Sequence, residues 1–244
     1  MKKLITCFYL ASIQLFDKSL QKIILVSIFG SACLFVILWL FIGYTFSYTD
    51  FFSTSWFFGA FDWALTKITG VFGSTIIFAI TWFLFPSVLS IIITFFLENV
   101  IQAIEEKHYP NLSPTRKQRP MEIFRITLKF TVLSISFNIL VIPVYMIFFF
   151  LGPINLIIFY ILNGYLLGRE YFELVAYRRF TPIIGKYVYQ KIYRKIFWTG
   201  ITSAFLMTIP IVNMITPIIS AAAMVHVLQR FSEKSNLNIT ELKL

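Results

Sequence analysis

Charge is scarce in this chain. Asp, Glu, Lys and Arg make up 13% of its 244 residues, whereas about 25% is usual for a soluble domain. Hydrophobic residues reach 58% and aromatic residues 19%, with 29 Phe. That many phenyl rings cannot all hide in a core of this size, so a soluble globular domain is excluded and an integral membrane protein is expected. Cysteine is almost absent. Cys7 and Cys33 provide neither a disulfide framework nor a metal pattern. His108 and His226 lie far apart, without HExxH spacing. There is no P-loop, no GxSxG and no paired Cys–His set, so neither an enzyme, a metal site nor a bound cofactor is expected. The net charge is +10, but the basic residues fall between apolar runs and form no separate basic domain. That pattern fits membrane orientation and contact with the lipid bilayer, and argues against nucleic-acid binding.

What is present is a series of apolar runs. Helical spacing over residues 1–22 puts Ile5, Tyr9, Ile13, Phe16 and Leu20 on one face, and Lys3, Gln14, Asp17, Lys18 and Gln21 on another. An N-terminal amphipathic helix lying in the membrane interface is predicted. No small-residue cleavage site follows, which argues against a signal peptide. Residues 23–42 contain no charge and would cover roughly 30 Å as a helix, the thickness of a hydrocarbon core. Tyr44, Tyr48, Trp56 and Trp63 in the following loop suit a headgroup belt. Residues 71–97 form a second long apolar run with Pro86 inside it, a predicted kink. This helix is expected to continue through 98–107 and to stop at His108-Tyr109-Pro110. Residues 110–120, PNLSPTRKQRP, are a proline-rich basic connector.

Two apolar hairpins are predicted next. The first pairs residues 130–151 with 154–168 around Gly152-Pro153. The second pairs 196–209 with 218–228 around Pro210, Asn213 and Pro217. The arms of the second are shorter than the roughly 20 residues a span requires, so a re-entrant hairpin is the economical reading. The first hairpin's arms are close to spanning length. The expected fold is therefore all-α: two long transmembrane helices, two re-entrant hairpins and the N-terminal amphipathic helix. Residues 1–230 read as one membrane domain and 231–244 as a polar tail.

Lys and Arg set the orientation. Residues 1–22 hold four, 98–129 hold six, 169–195 hold seven and 230–244 hold three. The 43–70 loop holds one, and the two hairpin turns hold none. Every basic segment then falls on the cytoplasmic side, together with both chain ends.

The densest meeting of charge and apolar helix is residues 163–179, NGYLLGREYFELVAYRR. Arg169 and Glu173 stand one helical turn apart and can pair. With Glu170 they form either an ion-pair network gating a pathway or a structural cluster at a helix exit. Gly164 and Gly168 form GxxxG, which permits close helix approach, although such a spacing also arises by chance. Lys18, Gln21 and Lys22 sit where a helix begins and can hold an anion with its backbone N–H groups, or anchor the span at lipid phosphates. Arg178, Arg179, Lys186, Lys191, Arg194 and Lys195 attract anions to a vestibule or bind headgroups. Asn213 either lines a pore or ties the backbone of its turn.

Three stretches resemble one family. These are NGYLLGREYFELVAYRR (163–179), IPIVNMITPIISAAAMVHV (209–227) and FLENVIQAIEEKHYP (96–110). In this order they resemble the CysZ / etoposide-induced membrane-protein family. The resemblance implies two spanning helices plus two hemi-penetrating hairpins in a homo-oligomer. It also implies sulfate uptake across the bacterial inner membrane without a nucleotide-binding domain. Family members tend to carry a Pro-Gly-Leu-Arg-Arg segment at the first span, and here Lys18-Ser19-Leu20-Gln21-Lys22 stands there. Lysine keeps the point charge but loses the bidentate fork. The expected function is a permease for sulfate or a related small oxyanion, with Lys18, Gln21 and Lys22 as the substrate-binding set. The rival is a non-transporting membrane scaffold or membrane-organisation protein of the same fold.

Overall fold

The computed structural model describes residues 2–48, 85, 88–89, 92–112, 115–116 and 118–234. Among these it is entirely helical, with no strand. The helices are α1 (Lys2–Gln14), α2 (Lys18–Tyr48), α3 (Leu97–His108), α4 (Pro120–Ile147), α5 (Gly152–Ala176), α6 (Pro182–Met207), α7 (Pro210–Asn213) and α8 (Thr216–Lys234). Most of the predicted 71–97 run, with its Pro86, lies outside the described residues, as do the side chains of Tyr44, Tyr48, Trp56 and Trp63.

The centre of the fold is α8. Its residues from Thr216 to Gln229 are buried on every side, because small and apolar residues follow one another all round the helix. Ala221, Ala222 and Ala223 let neighbours approach, while Ile218, Met224 and Leu228 fill the spaces between them. Helices α1, α3, α5 and α6 pack around it. The helix runs on to Lys234, so the first residues of the stretch read as a tail continue α8.

Helix α1 lies against α8 through Cys7, Ala11 and Gln14. Its predicted apolar face points the other way: Ile5 is 66% exposed, and Tyr9, Ile13 and Phe16 are also exposed. Gln14, read from spacing as part of the polar face, is buried, and its Oε1 meets His226 Nε2 at 3.1 Å. Because that oxygen can only accept, Nε2 carries the ring proton, and His226 Nδ1 accepts from the Tyr109 hydroxyl at 2.7 Å. Asp17 closes this base with Lys107 at 2.6 Å and His108 at 3.7 Å.

Two helical stretches are long and apolar enough to cross a membrane: Lys18–Ile37 and Pro120–Ile147. The second was read as an arm of the first hairpin. At 28 residues it is roughly 42 Å long, and the apolar window within it buries nothing. Ser136 and Asn138 on α4 donate to carbonyls one turn back, Val132 and Ser134, so their polar groups are satisfied within the helix. The turn to α5 is held by Asn155, whose amide donates to the carbonyls of Phe148 at 3.1 Å and Tyr145 at 3.3 Å. Pro153 enters α5 in its first turn, where no intrahelical N–H is lost.

The tightest packing is between α5 and α6. Gly164 and Gly168 of α5 face Gly200, Ile196 and Ile201 of α6. A Cβ at Gly200 would overlap the Gly164 carbonyl, and one at Gly168 would lie 2.5 Å from the Ile196 carbonyl oxygen. The two backbones are in direct contact, which only hydrogen at those positions allows. Thr199 and Ser203, buried on the same face, turn their hydroxyls back to the carbonyls of Lys195 and Thr199. Helix α6 kinks at Ile192 (φ −121°, ψ 17°), within its basic stretch Lys186–Lys195.

Candidate functional site

Helix α5 does not stop where its charges begin. It carries them for two more turns, to Ala176, and there the basic connector docks. The backbone N–H of Arg116 donates to the Arg178 carbonyl at 2.8 Å, and Gln118 Nε2 donates to the Tyr177 carbonyl at 2.5 Å. Carbonyls at a helix C-terminus lack intrahelical donors, and the connector supplies them. Arg116 then grips Glu122 of α4 with both arms, at 2.9 and 2.6 Å. The Glu122 hydrogen bonds raise the Arg116 pKa further, keeping it cationic. The start of α4 is thus pinned beside the root of α5.

A second fork ties the same root to α3. Arg179 Nε and Nη2 reach Glu105 Oε1 and Oε2 at 3.0 and 2.9 Å, and Arg178 approaches the same carboxylate at 3.9 Å. Arg179 and Glu105 are 6% and 4% exposed. Sequence reading gave Arg178 and Arg179 to an anion vestibule or to lipid headgroups and did not connect them with Glu105, 74 residues from Arg179.

Between these anchors lies a cleft of about 950 Å³. Helix α4 contributes Arg125 and Lys129, with Arg119 just before it. Helix α5 contributes Arg169, Phe172 and Glu173, and α6 contributes Lys186 and Tyr189. Five cations therefore face two carboxylates, Glu122 and Glu173. Both carboxylates are committed: Glu122 to Arg116, and Glu173 to Arg169 at 2.7 Å. Among the described residues, Arg119, Arg125, Lys129 and Lys186 form no ion pair. Burial pushes the Tyr177 phenol up to about 12, with the Glu173 charge adding to the effect, so that wall offers a neutral hydroxyl. The cleft is electropositive and suits a negatively charged group.

The sequence-predicted residues divide. Arg169 and Glu173 form their pair in the cleft wall, and Arg169 also reaches the Tyr165 hydroxyl at 3.4 Å. Glu170 is exposed and is not among the residues lining the cleft. Lys18, Gln21 and Lys22 are exposed in the first turn of α2, away from the cleft. The N-terminus of that helix already has an anion beside it. Asp17 accepts the first intrahelical bond from the Gln21 N–H, and its carboxylate holds Lys107. Gly164 and Gly168 lie at the α5–α6 crossing. Pro210 opens α7 and Asn213 ends it, its N–H donating to the Ile209 carbonyl at 2.7 Å, and Pro217 is buried at the start of α8. Of the six basic residues read as a vestibule or as headgroup contacts, Lys186 alone lines the cleft. Arg119, Arg125 and Lys129 were read only as orientation charges. The available signal was the spacing of Glu122, Arg125, Ile126 and Lys129, which repeats on one helical face just before an apolar run.

The family described as Sulfate transporter CysZ/Etoposide-induced protein 2.4 matches residues 7–217, most of the chain. The chain belongs to this family. No curated protein matches it. The matched region of this CysZ-family chain contains α2 through α7 and every residue lining the cleft.

Proposed function

We propose that this CysZ-family protein is a membrane permease for sulfate or a related small oxyanion, working without an ATPase module. The observation that carries the reading is the cleft, where four cations that form no ion pair among the described residues meet at the root of a helical bundle. The family description and the two apolar helices support it. In this reading α2 and α4 both enter a bacterial inner membrane from the cytoplasmic side, and the tip of the α6–α8 hairpin dips in and returns. The basic root and both chain ends face the cytoplasm, and copies of the chain assemble. The cleft concentrates anions at the mouth of the pathway, with Arg169 and Glu173 in its wall.

The test is uptake of labelled sulfate into liposomes containing the purified protein, with sulfite and phosphate as competitors. Uptake above empty liposomes, lowered several-fold by Arg125→Gln with Lys129→Gln, is the expected result. Uptake no different from empty liposomes, with folded protein, refutes the permease reading. A second reading, a non-transporting membrane scaffold of the same fold, is favoured by one observation. Gln21 and Lys22 stand where the family's arginine pair would be, Asp17 just before them is committed to Lys107, and Lys18 and Lys22 are exposed.

A further inference from the structure

The cleft has two chemistries, and a small oxyanion uses only one of them. Beside its cations lie Ile126, Phe172, Pro182, Ile183 and Tyr189. Ile183 is 84% exposed at the rim. A hydrated dianion gains nothing from such a wall and loses hydration against it. A molecule with an anionic head and a hydrocarbon body satisfies both sides. The position of the cleft along α4 favours the same occupant. Lys129 is the last charge before the uncharged, largely apolar run 130–151. If α4 crosses the bilayer, Arg125 and Lys129 stand at headgroup depth, one turn apart on one face. The cleft also continues into a seam. Above it α4 meets α5 through the Phe137–Tyr165 rings, 5.5 Å apart, and then at the Asn155 turn, with most of α4 exposed. An acyl chain can lie along that seam.

We propose that the cleft binds an anionic phospholipid. Arg125, Lys129 and Lys186 hold its phosphate, and its hydrocarbon lies against Ile126 and Ile183. Arg125, Lys129 and Lys186, which form no ion pair among the described residues, select an anionic headgroup over a zwitterionic one. A corollary rests on the permease reading: lipid and soluble oxyanion compete for the same cations, so anionic lipid restrains flux.

The test is native mass spectrometry of the full-length protein titrated with phosphatidylglycerol or phosphatidylcholine of matched chains. We expect phosphatidylglycerol to bind about tenfold or more tightly, given a contribution from each of several cations. Arg125→Gln with Lys129→Gln should bring the two lipids level. Lys191→Gln with Arg194→Gln, which removes two exposed cations outside the cleft, should leave the preference intact. Equal binding of the two lipids by the wild type overturns the proposal. So does equal loss in both double variants, and so does saturation by inorganic sulfate or phosphate with no lipid preference. Sulfate uptake into phosphatidylcholine liposomes, measured in parallel, separates the two readings. A lipid preference without uptake refutes the permease reading alone, and uptake without a lipid preference refutes the lipid site alone.

Discussion

The Glu105–Arg179 fork gives the sharpest test of how the root is held. Glu105→Ala removes the carboxylate that Arg179 grips twice, at 3.0 and 2.9 Å. The gross attraction of unit charges at this separation is about 6 kcal/mol at an effective dielectric of 20. Desolvating two ions offsets most of it, so the intact pair contributes little net stability. The asymmetry lies in breaking it. Arg179 is 6% exposed, and without Glu105 its guanidinium stays buried beside Arg178 with that carboxylate gone. That situation costs about 3–5 kcal/mol. At about 2–4 °C per kcal/mol for a chain of this size, Tm should fall by roughly 6–20 °C. The assay is thermal unfolding in mild detergent. Glu106→Ala is the control, since Glu106 is exposed and, among the described residues, accepts only from Gln102 on its own helix. Glu105→Met with Arg179→Met should recover part of the loss, because the closest charged pair is replaced by two apolar side chains while Arg178, 14% exposed, still loses the carboxylate. If Glu105→Ala falls no further than Glu106→Ala, or if the double variant is as unstable as the single, the buried-charge reasoning is wrong.

Two further perturbations probe other parts of the fold. Gly200→Leu should destabilise the α5–α6 crossing by about 3 kcal/mol or more, since the new Cβ alone overlaps the Gly164 carbonyl; Gly152→Ala, where a Cβ meets open space, should shift the midpoint little. A Gly200→Leu midpoint equal to that of Gly152→Ala would show that the helices can separate freely. His226 lies at the root of α8, outside both apolar stretches of spanning length, and faces Gln14 of α1, His108 and Tyr109 at the end of α3, and Arg230 on its own helix. Burial, with His108 and Arg230 adding to it, lowers its pKa from 6.5 to about 4. The unfolded chain therefore takes up the proton first as pH falls. This contribution to stability is complete above about pH 6.5 and is lost, up to about 3 kcal/mol, as pH falls toward 4. Unfolding midpoints at about pH 7.5 and 4.5 should differ less in His226→Asn than in the wild type, and parallel pH profiles would rule His226 out as the source.

Local chemistry, read from the chain alone, was enough for the all-helical class, the first apolar stretch, the Gly152-Pro153 turn and the Arg169–Glu173 pair. Each depends on residues within a helical turn of one another or on an unbroken apolar run, so order along the chain suffices. The same rule ends the apolar arm at Gly168, where charge begins. What it does not show is that the connector and α3 satisfy the charged end of the helix. Tertiary structure decided everything that depends on what faces what. Helical spacing shows that α1 has two unlike faces, but only the presence of α8 determines that Cys7, Ala11 and Gln14 turn inward while Ile5 and Phe16 turn out. GxxxG shows that α5 permits close approach, but the partner, Gly200, belongs to another helix. Arg125, Lys129, Arg169 and Lys186 come from three helices, and no spacing rule joins them. They become one site because Glu122 and Glu173 are taken up by their own arginines, leaving the remaining positive charge around a shared cleft.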